Sequence, residues 1–453
     1  MSLPPGFDPA VYRSLHRDLK SMTLPQATQH YLKHGRLEGR DYMPENIHLT
    51  LEESIDRALL KHSVASAGRY QSVVVPRVCP QRKACINILF PGYARTLTGG
   101  PISILRVAET MVRKGIPVRI VDVSGGGIPS QDIKAVLPRY GLEFLCSNGV
   151  EWTEASDSIK YSKKDMFMAT YYTTAFKAHE LQKQLNKKPF LYMIQDCEAF
   201  FGRHDSEAAR VYSTYSLQPH VPIFNSWILR DYFIKVLGYN GGNSGNGGHG
   251  GKIFDYFPQF PPWIKNPTTT KTTKRLIVYA RPQIDRNAYD FTVQCLDEAA
   301  RQGLFPPHEW TIFGVGASRG TPNVTDLGGK GVTLCILDHI YEDLYHELLQ
   351  SGEIGLCIMM SPHPSLPPFD MASRGMLVVT NTLFTRTEEE YRNISPNIFP
   401  APTSIPAVVD QLRAALHRVD DTKAREKGAV LNIPEHSIDY SWIRQILLDE
   451  QIF

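Results

Sequence analysis

Arg281 and Arg286 follow an apolar run, Arg275 to Tyr279, and precede a segment with helical spacing, Asn287 to Gln302. The run predicts a buried strand, so both cations fall between a strand's carboxyl end and a helix's amino end. A helix amino end already carries partial positive charge. Two guanidinium groups beside it are unfavourable unless an anion joins them. A second stretch, Ser361-Pro-His-Pro-Ser-Leu-Pro-Pro-Phe-Asp-Met-Ala-Ser-Arg-Gly-Met-Leu-Val-Val-Thr-Asn381, follows another apolar run, Ile354 to Met360. Four prolines hold its loop extended. Pro367 and Pro368 sit where a short helix begins, the position at which a missing N–H costs least. Gly375 ends that helix, and Met376 to Thr380 predicts the next buried strand. The helix amino end can receive a phosphate, and Asp370 in its first turn can accept a hydrogen bond from a sugar hydroxyl. The plainer alternative is a proline-braced connection that binds nothing. In Tyr192-Met-Ile-Gln-Asp-Cys-Glu-Ala-Phe-Phe201, Asp196 and Glu198 leave the end of a predicted strand. One of them could orient a hydroxyl or take its proton. Capping the next turn is the competing use.

These groups need elements to hold them, and the chain supplies two α/β halves. Predicted strands at Ile86–Phe90, Pro117–Asp122, Met166–Thr170, Phe190–Gln195 and Val221–Asn225 alternate with helical segments. The alternation restarts with strands at Arg275–Tyr279, Trp310–Phe313, Val332–Ile336, Ile354–Met359 and Leu377–Thr380. Strand–helix alternation predicts parallel sheets. The expected division is a small helical module over 1–45, a helix and linker over 46–84 and a first Rossmann-like domain over 85–265. A second such domain over 266–435 and a terminal helix over 436–453 complete it. Ligands of such sheets bind beyond the carboxyl ends of the strands, where all the residues above fall. The glycine- and asparagine-rich stretch Gly238 to Gly251 is expected to be a surface insertion, because no strand feeds it and no helix leaves it. Gly314-Val-Gly-Ala-Ser-Arg-Gly320 departs by one residue from the dinucleotide fingerprint, and the turn-rich Thr321 to Gly329 after it is no helix.

Composition permits this plan. The chain has 453 residues, 42% of them hydrophobic, and a net charge of +3, so no basic stripe points to nucleic acid. Seven scattered cysteines without a Cys-x-x-Cys pair suggest reduced core residues rather than a disulfide framework. No apolar run approaches the ~20 residues of a membrane helix, and the start lacks a signal-peptide pattern. A cytoplasmic protein is expected, peripheral attachment to a membrane remaining open.

The stretch from Phe369 to Val379 resembles the donor-binding segment of retaining glycosyltransferases of family 4, with Asp370 in place of the second of two glutamates. The first would fall at Pro362 and is missing. The wording Ser-Pro-His-Pro-Ser-x-Pro-Pro is closer to rhamnosyltransferases of surface-layer glycan and rhamnan synthesis. Tyr279-Ala-Arg-Pro-Gln-Ile-Asp-Arg-Asn-Ala288 resembles their "Tyr-x-Arg-Pro-x-x-x-Arg-Asn-Ala", and Gln195 to Phe201 their "Gln-Asp-x-Glu-x-x-Phe". The resemblance implies a GT-B fold, two Rossmann-like domains facing across a cleft. It places Arg281 and Arg286 on a diphosphate, with His363, Ser365 and Asp370 on the donor and Gly314 and Gly316 facing the nucleotide. Thr98, Gly99 and Gly100 would let a sugar approach the backbone, and Asp196 or Glu198 would serve the acceptor. His363 stands where the absent glutamate's work is done. The implied activity is transfer of a sugar, L-rhamnose by the closest wording, from a nucleoside-diphosphate sugar to a glycan hydroxyl. Anomeric configuration would be retained and no metal or other cofactor needed. A non-catalytic glycan-binding or scaffold protein on the same fold, or a nucleotide-sugar epimerase or hydrolase, are the alternatives. The base, acceptor and oligomeric state stay open. The first 45 residues resemble a small module found beside glycosyltransferases. Its His30 and His34 lie at i and i+4, a spacing that a packed pair explains without a metal.

Overall fold

The computed structural model describes residues 3–4, 6–43, 77–91, 99–123, 135–147, 150–155, 159–202, 204–241, 253–261, 263, 273–317, 324–337, 340 and 342–449. Most of the expected helix and linker over 46–84 and most of the glycine-rich insertion lie outside them. The chain forms two compact units, Met1–Val73 and Val74–Phe453.

In the first unit, α1 (Pro9–Leu15) and α2 (Leu24–His30) form where capping residues start them. Asp8 accepts from the Ala10 amide, and Thr23 and Gln26 form a reciprocal capping box. Tyr12, Leu19, Ala27 and Tyr31 make a small core with Tyr42 and Met43. His30 meets the Tyr12 hydroxyl at 3.0 Å, and its ring centroid lies 5.5 Å from that of His34. The pair therefore packs within an aromatic cluster.

The second unit holds two seven-stranded sheets. The first contains β1 (Ile86–Phe90), β2 (Val118–Asp122), β3 (Glu151–Glu154), β4 (Met166–Ala169), β5 (Phe190–Ile194), β6 (His220–Asn225) and β7 (Phe254–Tyr256). Its order is β3-β2-β1-β4-β5-β6-β7, all parallel. The second contains β8 (Lys274–Tyr279), β9 (Trp310–Val315), β10 (Val324–Leu327), β11 (Val332–Ile336), β12 (Ile354–Cys357), β13 (Leu377–Asn381) and β14 (Ile398–Ala401). Its order is β10-β11-β9-β8-β12-β13-β14, with only β10 antiparallel. The central strands are buried along their length, as expected of parallel strands covered on both faces. Helix α3 (Gly100–Arg113) shows how a cover forms. Ile104, Leu105, Ala108 and Met111 share one stripe and are buried against β1 and its neighbours.

Four strands of the two seven-stranded sheets were not expected from sequence, each for a physical reason. β3 reads Glu-Trp-Thr-Glu and is half exposed at a sheet edge. β7 has three residues. β14 carries Pro400, which an edge strand tolerates. β10 falls within Thr321 to Gly329, expected to be turns. It is the antiparallel edge strand, and its side chains are largely exposed.

The terminal helix, α4 (Ser441–Asp449), returns to the first sheet. Trp442, Ile443 and Ile446 join the core built on β1 and α3. The Ser437 carbonyl accepts from the Phe257 amide at 2.8 Å, tying this return to the chain leaving β7.

Candidate functional site

Each sheet reverses its strand order once. In the second sheet the chain runs from β8 outward through β9 and β11, then returns on the other side at β12. The loops after β8 and β12 thus flank a switch point, where open sheets leave a crevice. The first loop carries Arg281 and Arg286, the second Ser361, His363 and Ser365.

Arg281 donates to the Tyr279 hydroxyl at 3.2 Å. Arg286 lays its guanidinium 3.9 Å from the ring centroid of Phe201, a first-domain residue. Neither forms an ion pair among the described residues. Burial pulls the Arg286 pKa down; the Asp196 charge opposes this and that of Arg281 adds to it. The helix that follows, α5 (Tyr289–Arg301), starts at Ala288 with φ 45° and no capping side chain. Two cations without an ion pair among the described residues therefore stand beside a helix amino end that has no capping side chain, with Asp290 in its first turn and the Asp196 charge acting on Arg286. Gly316 is part of this geometry. Its φ is +96°, and a Cβ there would lie 3.0 Å from both Arg281 and Tyr279. Gly314, expected in a loop beside the nucleotide, is instead inside β9. It pairs with Val278 and Ile336 and packs on Ala280.

His363 is buried, and its Nδ1 accepts from the Ser365 amide at 3.0 Å. A neutral ring that accepts at Nδ1 carries its proton on Nε2. That Nε2–H has no hydrogen-bond partner. The main chain of the first-domain residue Asn225 lies beside the ring and works against the other influences on it by favouring the protonated form. Burial, with the charges of Arg386 and Arg286, pulls the imidazole down to about 3. His363 therefore offers a neutral donor rather than a cation. Ser365 sits at φ +63°, left-handed and costly for a residue other than glycine.

Asp370 lies in the first turn of α6 (Pro367–Ser373). One of its oxygens accepts from Arg374 at 2.9 Å, and Arg374 in turn meets His346 at 2.8 Å. The carboxylate expected to await a hydroxyl is thus half committed to a residue of its own motif.

On the first-domain side, Asp196 and Glu198 diverge. Asp196 Oδ2 accepts from Ser361 Oγ at 2.7 Å; Oδ1 accepts from the His363 amide at 3.1 Å and the Cys197 amide at 2.8 Å. Two of its three donors belong to the second domain. Burial raises its pKa against these bonds. Glu198 stays within its own domain: Oε2 accepts from the Tyr172 amide at 2.7 Å, and burial raises its pKa well above the usual carboxylate range. Glu198 lines a pocket of about 170 Å³ with Tyr171, Tyr172, Phe201 and Glu207. Gly99, at φ +50°, precedes α3, and a Cβ on Gly100 would lie 3.1 Å from Gln195 Oε1. Thr98 lies outside the described residues.

The structure thus gathers Arg281, Arg286, His363, Ser365 and Asp196 at one place, with Glu198 close enough for the charges of Asp196 and Arg286 to act on it. It keeps Gly314 out. Sequence reasoning missed Ser361, Phe201, Asn225 and Arg374. Ser361, Phe201 and Arg374 stand inside quoted motifs. Asn225 was marked only by its position at a strand end.

Two family models match this chain: the WsaF N-terminal domain over residues 85–227 and the WsaF C-terminal domain over 274–413. The chain belongs to the WsaF family. The two matches fall on the two sheets and together contain every site residue named above. A curated relative, the O-antigen biosynthesis protein RfbC of Myxococcus xanthus, is 24% identical over 371 residues, 81% of this chain. The chain spans about a quarter of that protein, 26% of its length. Among solved structures, sucrose-phosphate synthase from Thermosynechococcus elongatus superposes with a TM-score of 0.54 at 10% identity, covering 81% of this chain and all of the other. Anabaena HepE in complex with UDP gives 0.53 at 11% identity, covering 82% and 100%. A glycosyltransferase from Rickettsia africae gives 0.52 at 13%, covering 82% and 99%. Likeness at this identity establishes the fold, and the WsaF-family chain has the GT-B architecture of two Rossmann-like domains.

Proposed function

We propose that this protein is a glycosyltransferase that moves a sugar from a nucleoside-diphosphate donor to a hydroxyl of a growing glycan. The observation that carries the reading is the unpaired Arg281–Arg286 pair at an uncapped helix amino end. In the transfer, the bond between the sugar's anomeric carbon and the diphosphate oxygen breaks, and its electron pair stays on the diphosphate. A new bond forms from the anomeric carbon to the acceptor oxygen, whose proton passes to the departing diphosphate. Cations fixed in place beforehand stabilise that growing charge without reorganising. A guanidinium fork binds two oxygens at once and stays protonated. The reading is supported by the O-antigen biosynthesis name of the relative and by UDP in one structural neighbour.

Proton transfer to the diphosphate on the same face corresponds to retention of configuration. The arginines fill the place of a divalent ion, so the reaction is proposed to proceed without metal. L-Rhamnose is the proposed sugar on motif wording alone. The Glu198 pocket, which Phe201 also lines, is the proposed seat of an acceptor hydroxyl: burial shifts its carboxyl toward the protonated form, and only one of its oxygens is bonded among the described residues. The test is a panel of sugar nucleotides scored for release of nucleoside diphosphate with and without glycan acceptors. Acceptor-dependent release supports the transferase. Release to water alone, equal with and without acceptor, favours a hydrolase.

A further inference from the structure

We infer that Asp196 is a positioning residue, a strut from the first domain that holds the loop Ser361–Ser365 of the second in its donor-binding shape. This rests on the transferase reading, because it gives Asp196 a part in donor binding rather than in proton transfer.

The geometry argues against a base. A base needs a lone pair facing open space where a hydroxyl can arrive. The Asp196 carboxylate is 5% exposed and already accepts three hydrogen bonds. Removing it would strand Ser361 Oγ and the His363 amide in a buried place, each losing its only partner there. The consequences propagate along the loop. The His363 main chain is fixed by Asp196, the His363 ring accepts from the Ser365 amide, and Ser365 is held left-handed at the start of α6. A strained conformation persists only where its surroundings over-determine it. Pro362 and Pro364 offer no amide to share the load. Within this loop, then, the two amides flanked by proline are the ones in use, and the chain of bonds that uses them begins on the other domain. Glu198 makes the contrast. Two residues along the same segment, it has no bond to the second domain and keeps an oxygen free.

The test uses the full chain with the variants Asp196→Asn, Asp196→Ala, Ser361→Ala and the double variant Asp196→Asn/Ser361→Ala. Two quantities are read. The first is affinity for UDP, dTDP and GDP by calorimetry, together with kcat and donor KM for whichever sugar nucleotide is turned over. A strut predicts donor KM and nucleotide Kd raised roughly 10- to 100-fold in Asp196→Ala, the scale of hydrogen bonds to a charged acceptor, with kcat changed less than threefold. Ser361→Ala should move the same quantities by less, and the double variant should show coupling rather than additivity. A fall in kcat of a thousandfold with Kd and KM unchanged would make Asp196 a base and overturn the inference. The second quantity is hydrogen exchange at the His363 and Ser365 amides. It should speed up in the Asp196 variants while peptides from β1 and β4 stay protected. Unchanged exchange there overturns the strut whatever the ligand. If the wild type binds no nucleotide yet exchange responds as expected, the transferase reading fails and the strut stands as a purely structural element.

Discussion

The two faces of the cleft handle charge in opposite ways. On the second domain, Arg281 and Arg286 stand beside an uncapped helix amino end and form no ion pair among the described residues. On the first, Asp196 and Glu198 are buried and already accept hydrogen bonds from the protein. Unsatisfied like charges mark a place where a ligand must supply the counter-charge. Satisfied carboxylates mark a place where the protein sets its own shape, or holds a proton ready to give. The same cleft therefore combines cations without an ion pair on one face with buried carboxylates already bonded by the protein on the other.

The contrast breaks most readily at the arginines. Arg286→Ala, and separately Arg281→Ala, should lower turnover roughly 10²- to 10³-fold, the cost of one preorganised donor to a developing charge. Steady-state rates with saturating acceptor check this. Loss confined to one arginine would move the diphosphate toward that side chain alone.

The two domains share one liability, a buried imidazole with a depressed pKa in each. His220, in the first sheet, donates from Nδ1 to the Leu217 carbonyl, accepts at Nε2 from the Tyr239 hydroxyl, and is pulled down by burial to about 4. His363 is pulled down to about 3. A folded-state pKa below the unfolded value near 6.5 means that the unfolded chain binds the proton more readily. The stability from a neutral ring is then fully present above about pH 6.5 and is lost as pH falls toward the folded pKa. For His220 the loss is on the order of 3 kcal/mol by pH 4. Urea midpoints measured from pH 7 to pH 4 should fall, and His220→Gln should fall less steeply than the wild type. An equal slope in both would remove His220 from the account.

Glu198→Gln sharpens the comparison from the acidic side. The amide keeps the size and a donor but gives up the carboxylic acid. Acceptor KM should rise roughly three- to tenfold, one neutral hydrogen bond's worth, with nucleotide affinity unchanged. A shift in nucleotide affinity would place Glu198 on the donor. The smallest expected effect is that of a chelator: with arginines serving the diphosphate, EDTA should leave the rate within twofold. Loss of activity restored by manganese would contradict that assignment.

Much of this was readable in the sequence, for reasons that differ by residue. The central strands are short apolar runs bounded by turn residues, so β1, β5, β8, β12 and β13 announce themselves. Arg281 and Arg286 could be assigned together because one loop carries both, and their anomaly, two cations before a helix, is local. Edge strands such as β3 and β10 lack that signal because half their side chains meet water. What Asp196 touches was not legible, for a deeper reason. Its partners Ser361 and His363 are 165 and 167 residues away, and no local pattern records a bond that only the packing of two domains creates. Asp370 was read as open because its motif suggested a ligand, yet Arg374, one turn later in the same motif, takes one oxygen. That i,i+4 spacing was visible in the sequence.

The central claim is that the arginine pair awaits a diphosphate. Calorimetric titration of the wild type, Arg281→Ala and Arg286→Ala with UDP, dTDP, GDP and the matching monophosphates tests it most directly. The account predicts that a diphosphate binds the wild type more tightly than its monophosphate, and that either substitution weakens the diphosphate at least tenfold and the monophosphate much less. Equal affinity for the diphosphate in all three proteins would contradict it.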